Sequence, residues 1–248
     1  MKTIVDGLAV EYREEGQGDV LLLMHGWGDT LRTFDLIVPE LSQKHRIVRL
    51  DLPGFGESER PHGTWGVGDY ASFVQTFLNK IDVQPKAIIG HSFGGRIAIK
   101  GVANGVLSPE RLVLIASAGN ARRKTLKTYG FLAVAKVGKT IASILPERAQ
   151  GALRAKLYEK AQSDYLHSGA MRDIFLKTIA EDLSGDAARI TIPTLLIWGS
   201  EDRTTPLEDG VRFEQLIPGA QLEILEAAGH FVHKDASDEV ATLIDTFV

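Results

Sequence analysis

Cysteine is absent from the 248 residues, so the chain can form neither a disulfide framework nor a thiolate nucleophile. Any covalent chemistry must use an oxygen or a nitrogen. Long apolar runs are missing as well. Neither the opening Met1-Lys2-Thr3-Ile4-Val5-Asp6-Gly7 nor any later stretch approaches the roughly 18 uncharged apolar residues of a membrane span, and the opening has no signal-peptide core. Positive charge is not in excess: 28 Lys and Arg stand against 32 Asp and Glu, a net charge of -4. That balance gives no general attraction to nucleic acid or to an anionic membrane. The expectation is a cytoplasmic protein with a small-molecule substrate, without nucleic acid, membrane span, cofactor or metal. Nothing in the sequence defines an oligomeric state.

What the sequence does contain is 44% hydrophobic residues, enough for one large domain with a sizeable core. Residues 2–14 read as two strands around Asp6-Gly7, a dipeptide suited to the positive φ angles of a tight hairpin. After Gly16-Gln17-Gly18 come short apolar runs at 20–24, 47–50, 87–89, 112–115, 194–198 and 222–225, which read as strands buried on both faces. Tyr70, Phe73, Val74, Phe77, Leu78 and Ile81 share one face of an intervening helix. Such alternation predicts an α/β fold: a mostly parallel twisted sheet of about eight strands flanked by helices.

The alternation stops between Gly119 and Arg189, where the sequence reads as helices broken at Pro146 and near Ser168-Gly169. The expected organisation is therefore a core in two parts, 1–118 and 190–248, with 119–189 as an inserted helical cap. Arg122, Arg123, Lys124, Lys127, Lys136 and Lys139 lie in that insertion and read as a solvated helix face.

Chemistry concentrates at strand ends. Gly90-His91-Ser92-Phe93-Gly94-Gly95 sits between an apolar strand and a helical run, the setting of a G-x-S-x-G elbow that lifts a serine hydroxyl clear of the sheet. A Ser that merely caps the helix is the bland alternative. The helix N-terminus beside Ser92 favours developing negative charge, and the Phe93 N–H is one candidate oxyanion donor. His25-Gly26-Trp27-Gly28 follows an earlier strand and offers the Trp27 N–H as the second, with His25 structural. A Ser hydroxyl needs an imidazole base, and the imidazole needs a carboxylate. Asp202, in the loop after 194–198, is the acid candidate, with Glu201 its rival. The region after 112–115, Ser117-Ala118-Gly119-Asn120, holds no carboxylate. His230, after Ala227-Ala228-Gly229, is the base candidate. His233 should point elsewhere, His91 should flank the elbow, and His45, His62 and His167 read as surface residues.

Taken in order, His25 to Gly28, Asp51-Leu52-Pro53-Gly54-Phe55-Gly56-Glu57-Ser58, Gly90 to Gly95, Trp198-Gly199-Ser200-Glu201-Asp202 and Gly229-His230-Phe231 resemble the α/β-hydrolase superfamily, and more narrowly its small capped members. The resemblance spans nearly the whole chain. It implies a triad of Ser92, Asp202 and His230, an oxyanion hole from the Trp27 and Phe93 amides, and a shaping role for the loop at 51–58. The expected reaction is hydrolysis of a carboxylic ester through an acyl-enzyme on Ser92. Carbon–carbon bond hydrolysis, amide hydrolysis and perhydrolysis use the same groups, and a non-catalytic binding protein on this fold is a further alternative. Phe131, Leu132, Leu145, Tyr158, Tyr165, Met171 and Phe175 are candidates for an apolar acyl pocket or for packing of cap on core.

Overall fold

In the computed structural model, residues 1–120 and 169–248 are described. The eight strands are β1 (Lys2–Val5), β2 (Leu8–Glu15), β3 (Asp19–Met24), β4 (His45–Leu50), β5 (Ala87–His91), β6 (Arg111–Ile115), β7 (Thr194–Gly199) and β8 (Gln221–Leu225). They form one sheet in the order β1-β2-β4-β3-β5-β6-β7-β8. The β1–β2 hairpin turns at Asp6 and Gly7, with φ angles of 48° and 79°, and joins β4 antiparallel; every later pairing is parallel.

The central strands bury both faces because successive side chains point to opposite sides. Leu22, Met24, Ile88, Leu112, Leu114, Leu196 and Trp198 belong to one core. Their neighbours in sequence, Leu21, Leu23, Ile89, Val113, Ile115, Leu195 and Ile197, belong to the other. Each fully buried aliphatic side chain contributes about 1.5–3 kcal/mol. The first core lies under α2 (Val67–Lys80) and α3 (Phe93–Ala103), and the second under the short α1 (Val38–Leu41) and α8 (Ser237–Phe247). On α2 the apolar face read from the sequence is the buried one. Gly66 has no side chain with which to cap that helix, and the Glu181 carboxylate accepts the Val67 N–H instead, at 2.9 Å.

Two expectations are corrected. β8 is an edge strand with exposed residues, Ile224 among them, because among the described residues only β7 pairs with it. His45 is not a surface residue. It starts β4 under the carboxyl-terminal helix, where its Nε2 lies 3.0 Å from Asp245 Oδ1. His62 is exposed as read.

Most of the insertion expected at 119–189 lies outside the described residues, including Pro146, His167, the basic run and five of the seven pocket candidates. Its described end holds a single 3₁₀ turn (Gly169–Met171), α4 (Arg172–Ala180) and α5 (Ser184–Ala187), between the adjacent strands β6 and β7. The helix α6 (Leu207–Leu216) then follows β7, and α7 (Val232–Asp235) follows β8. Among the described residues no helix is long and apolar enough to cross a membrane.

Phe77, fully buried on α2 with its ring 5.5 Å from that of Tyr12, tests the first core. Phe77→Ala is expected to lower unfolding stability by about 3–5 kcal/mol in denaturant titration. A loss below about 1 kcal/mol would contradict this packing.

Candidate active site

Three strand ends and one loop converge at the carboxyl edge of the sheet. β5 ends at His91, α3 begins at Phe93, and Ser92 makes the whole turn between them, with φ 50° and ψ -105°. That backbone conformation strains a non-glycine residue by about 1–3 kcal/mol. The surroundings impose it. The Ser92 N–H donates to Ile115 O at 3.0 Å, and the Ser92 carbonyl accepts from Ala118 at 3.2 Å, so the end of β6 grips both sides of the turn. A Cβ on Gly94 would sit 2.1 Å from Met24 O, so only glycine lets α3 pass this close to β3. The Ser92 hydroxyl makes no capping bond to the helix, contrary to the bland alternative.

That hydroxyl lies 3.1 Å from His230 Nε2, and His230 Nδ1 lies 2.8 Å from Asp202 Oδ2. An ionised carboxylate only accepts hydrogen bonds, so Nδ1 carries the imidazole proton and Nε2 presents its lone pair to the Ser92 O–H. The structure thus brings Ser92, His230 and Asp202 into one hydrogen-bonded chain.

Asp202 is buried, whereas the rival Glu201 is exposed. Oδ1 accepts the backbone N–H groups of Thr204 at 2.7 Å and Thr205 at 2.9 Å, and Oδ2 faces His230 and the Thr205 hydroxyl at 2.8 Å. Burial alone would raise its pKa. The bonds from His230 and Thr205 outweigh that, and the carboxyl is held below its ordinary value.

Thr205 is the residue that sequence reading missed. Its buried hydroxyl also lies 3.0 Å from Ala116 O and 3.1 Å from His230 Nδ1, so it joins Asp202, His230 and the residue just after β6. Trp198 Nε1 donates to its carbonyl at 2.9 Å and anchors it from the core. The available signal was the Thr204-Thr205 pair directly after Arg203, which puts Thr204 at the two-residue spacing of an Asx turn on Asp202 and Thr205 beside it.

The loop 25–29 lies over the elbow. His25 is buried and structural as read: Nδ1 donates to Gly26 O at 2.7 Å and Nε2 accepts from Leu52 N at 2.9 Å. The Trp27 N–H donates to no backbone group among the described residues. Phe93, as the first residue of α3, has no intrahelical acceptor for its N–H. The Trp27 ring packs against Phe55, Phe93 and Phe175 at 4.8, 5.2 and 5.0 Å, which makes an aromatic wall beside Ser92. Phe55 stands on the loop 51–58, which Asp51 shapes by accepting from Leu31 N at 2.7 Å and Glu57 N at 2.9 Å. Met171 is packed on Gly54 of that loop.

His233 points away from Ser92 and places Nε2 3.0 Å from Thr33 Oγ1 in the core. Among the described residues no group of three His, Cys, Asp or Glu is arranged to hold a metal ion.

The family model described as the Alpha/beta hydrolase family matches residues 20–243. The 2-hydroxy-6-oxo-2,4-heptadienoate hydrolase of Pseudomonas putida is 24% identical over 99% of this chain and 94% of its own length. Among solved structures, the esterase of Exiguobacterium antarcticum superposes with a TM-score of 0.77 at 21% identity, covering 100% of this chain and 99% of that one. A meta-cleavage product hydrolase of Pseudomonas fluorescens gives a TM-score of 0.76 at 22% identity, over 100% and 96%.

The buried imidazoles make stability depend on pH. The pKa of His233 is pushed down to about 3, chiefly by burial, with Lys234 and His230 adding to the effect and Asp29 opposing it. Above pH about 6.5 neither folded nor unfolded chain binds the proton. As pH falls from there toward 3, the unfolded chain takes up a proton that the folded site refuses, and stability declines by up to about 1.4 kcal/mol per unit. Between pH 7 and pH 5, wild type should lose about 2 kcal/mol more in denaturant titrations than His233→Gln. Equal losses would mean that His233 is not protonated on unfolding.

Proposed function

Since the chain belongs to the alpha/beta hydrolase family, we propose that it is a serine hydrolase of carboxylic esters, with Ser92 as nucleophile, His230 as general base and Asp202 as the acid that orients and charges-stabilises that base. The observation that carries this reading is the unbroken chain from hydroxyl to imidazole to buried carboxylate, at 3.1 and 2.8 Å.

In the proposed mechanism Ser92 Oγ attacks the substrate carbonyl carbon while its proton passes to His230 Nε2. The carbonyl oxygen becomes an oxyanion, held by the N–H groups of Trp27 and Phe93. Collapse expels the alcohol, which takes the proton from His230, and leaves an acyl-enzyme. Water, deprotonated by the same imidazole, then attacks the acyl carbon and frees the acid and Ser92. Asp202, held ionised by Thr204, Thr205 and His230, offsets the charge that His230 gains in each half. The aromatic wall of Trp27, Phe55, Phe93 and Phe175 supports an apolar acyl group as substrate. Phe175, on α4, contacts Trp27, which supports packing of the described end of the segment 119–189 beside the strand ends.

Hydrolysis of a carbon–carbon bond beside a carbonyl is the second reading. The Pseudomonas putida relative, named for a dienoate substrate, favours it. Aryl esters of graded chain length, assayed beside a vinylogous 2-hydroxy-6-oxo-dienoate, separate the two: ester turnover alone supports the first reading, and dienoate cleavage with kcat/KM above that for every ester supports the second.

A fluorophosphonate probe should label wild type and not Ser92→Ala, and absence of labelling in wild type would remove Ser92 from its role. His230→Ala should lower kcat by about 10³-fold or more, because the members of a triad act as a unit. Wild-type turnover in that variant would exclude His230 as the base.

A further inference from the structure

His91 takes no part in the proton path, yet it is 1% exposed and lies directly behind it. Its Nε2 is 3.0 Å from the backbone carbonyl oxygen of His230. A carbonyl can only accept, so Nε2 carries the ring proton. Burial, together with the imidazoles of His233 and His230, keeps that ring neutral.

The Nδ1–Cε1 edge of the ring faces Gly26. A Cβ built on Gly26 would lie 3.1 Å from His91 Nδ1 and 3.3 Å from Ser92 Cβ, so the ring and the elbow together fill the space beside the loop that bears Trp27. The ring centroid lies 4.9 Å from that of His230, 5.3 Å from Phe231 and 4.5 Å from His233. His233 is in turn held by Thr33, on the 3₁₀ turn that follows the loop 25–29. One side chain therefore touches the loop of the proposed oxyanion hole and the loop of the proposed base, and belongs to the residue directly before the proposed nucleophile.

Among the described residues, His91 Nδ1 also has no hydrogen-bond partner although it is buried. A buried polar atom left unpaired costs stability, a cost that a methionine filling the same space would avoid. Filling space is thus not enough to account for a histidine here; the bond donated to His230 O is what methionine could not supply.

We propose that His91 is a positioning residue of this site: its Nε2–H···O bond sets the height of the His230 main chain over Ser92. The proposal rests on the reading of Ser92 and His230 as nucleophile and base. The segment from Leu225 to His230 carries the base on a short connection, and displacement of a reacting group by about 1 Å can cost on the order of 10²-fold in rate.

The test is the second-order rate of fluorophosphonate labelling in wild type, His91→Met and His91→Gln, with Ser92→Ala as the blank and thermal unfolding recorded for each. His91→Met fills the space without a donor and should label about 10- to 100-fold more slowly. In His91→Gln the amide N–H can reach the same carbonyl, and the rate should return to within about 3-fold of wild type. A wild-type rate in His91→Met overturns the proposal. So do equal losses in both variants, which would make the ring itself, and not its N–H, the requirement. Should His91→Met fail to fold, His91→Leu, which also lacks the donor, decides: it should label about 10- to 100-fold more slowly, and an unchanged rate overturns the proposal. If wild type itself is not labelled, the Ser92 reading falls instead.

Discussion

Ser92 leaves β5 and enters α3 in a single residue at a φ of 50°, and that strained turn holds only because the end of β6 bonds both its N–H and its carbonyl. The strain is offset by what surrounds it, a parallel sheet buried on both faces that cannot relax around one residue. The consequence is a hydroxyl that points out of the sheet rather than back onto its own helix. The convergence of the proposed site depends on this first step, because the acid, the base and the aromatic loop are all placed relative to the same strand edge.

The second requirement is a carboxylate that stays ionised although buried. Desolvation opposes this, and the opposing bonds come from two backbone N–H groups, one hydroxyl and one imidazole. The acid is thereby fixed in both charge and orientation before any substrate arrives. The imidazole inherits that order through Nδ1 and offers its lone pair at Nε2, so the tautomer is set by the bond to a buried, ionised carboxylate. Thr205 belongs to this arrangement as much as Asp202 does, since its hydroxyl meets the acid, the base and Ala116 at once.

Much of this was legible in the chain. The apolar runs gave strand positions, Asp6-Gly7 the hairpin, and the 70–81 periodicity the buried face of α2, because each depends on local pattern. Gly90 to Gly95 marked the elbow for the same reason: glycine is demanded where backbones approach. Asp202 could be preferred to Glu201 only by its place in a motif, and the physical reason, burial of one and exposure of the other, lies in the fold. His45 and β8 were misjudged because both depend on what covers them: α8 closes over His45, while β8 has no strand beyond it.

By itself the sequence determined the α/β architecture, the family likeness and the residue types brought to the strand ends, since these follow from periodicity, glycine placement and motif order. Tertiary structure alone decided which atoms meet: that Ser92, His230 and Asp202 form one hydrogen-bonded line, that Thr205 joins them, and that His91 and His233 lie buried behind the base. Those contacts join residues up to 139 positions apart, and the register that brings them together is set by the packing of the whole sheet rather than by any segment of it.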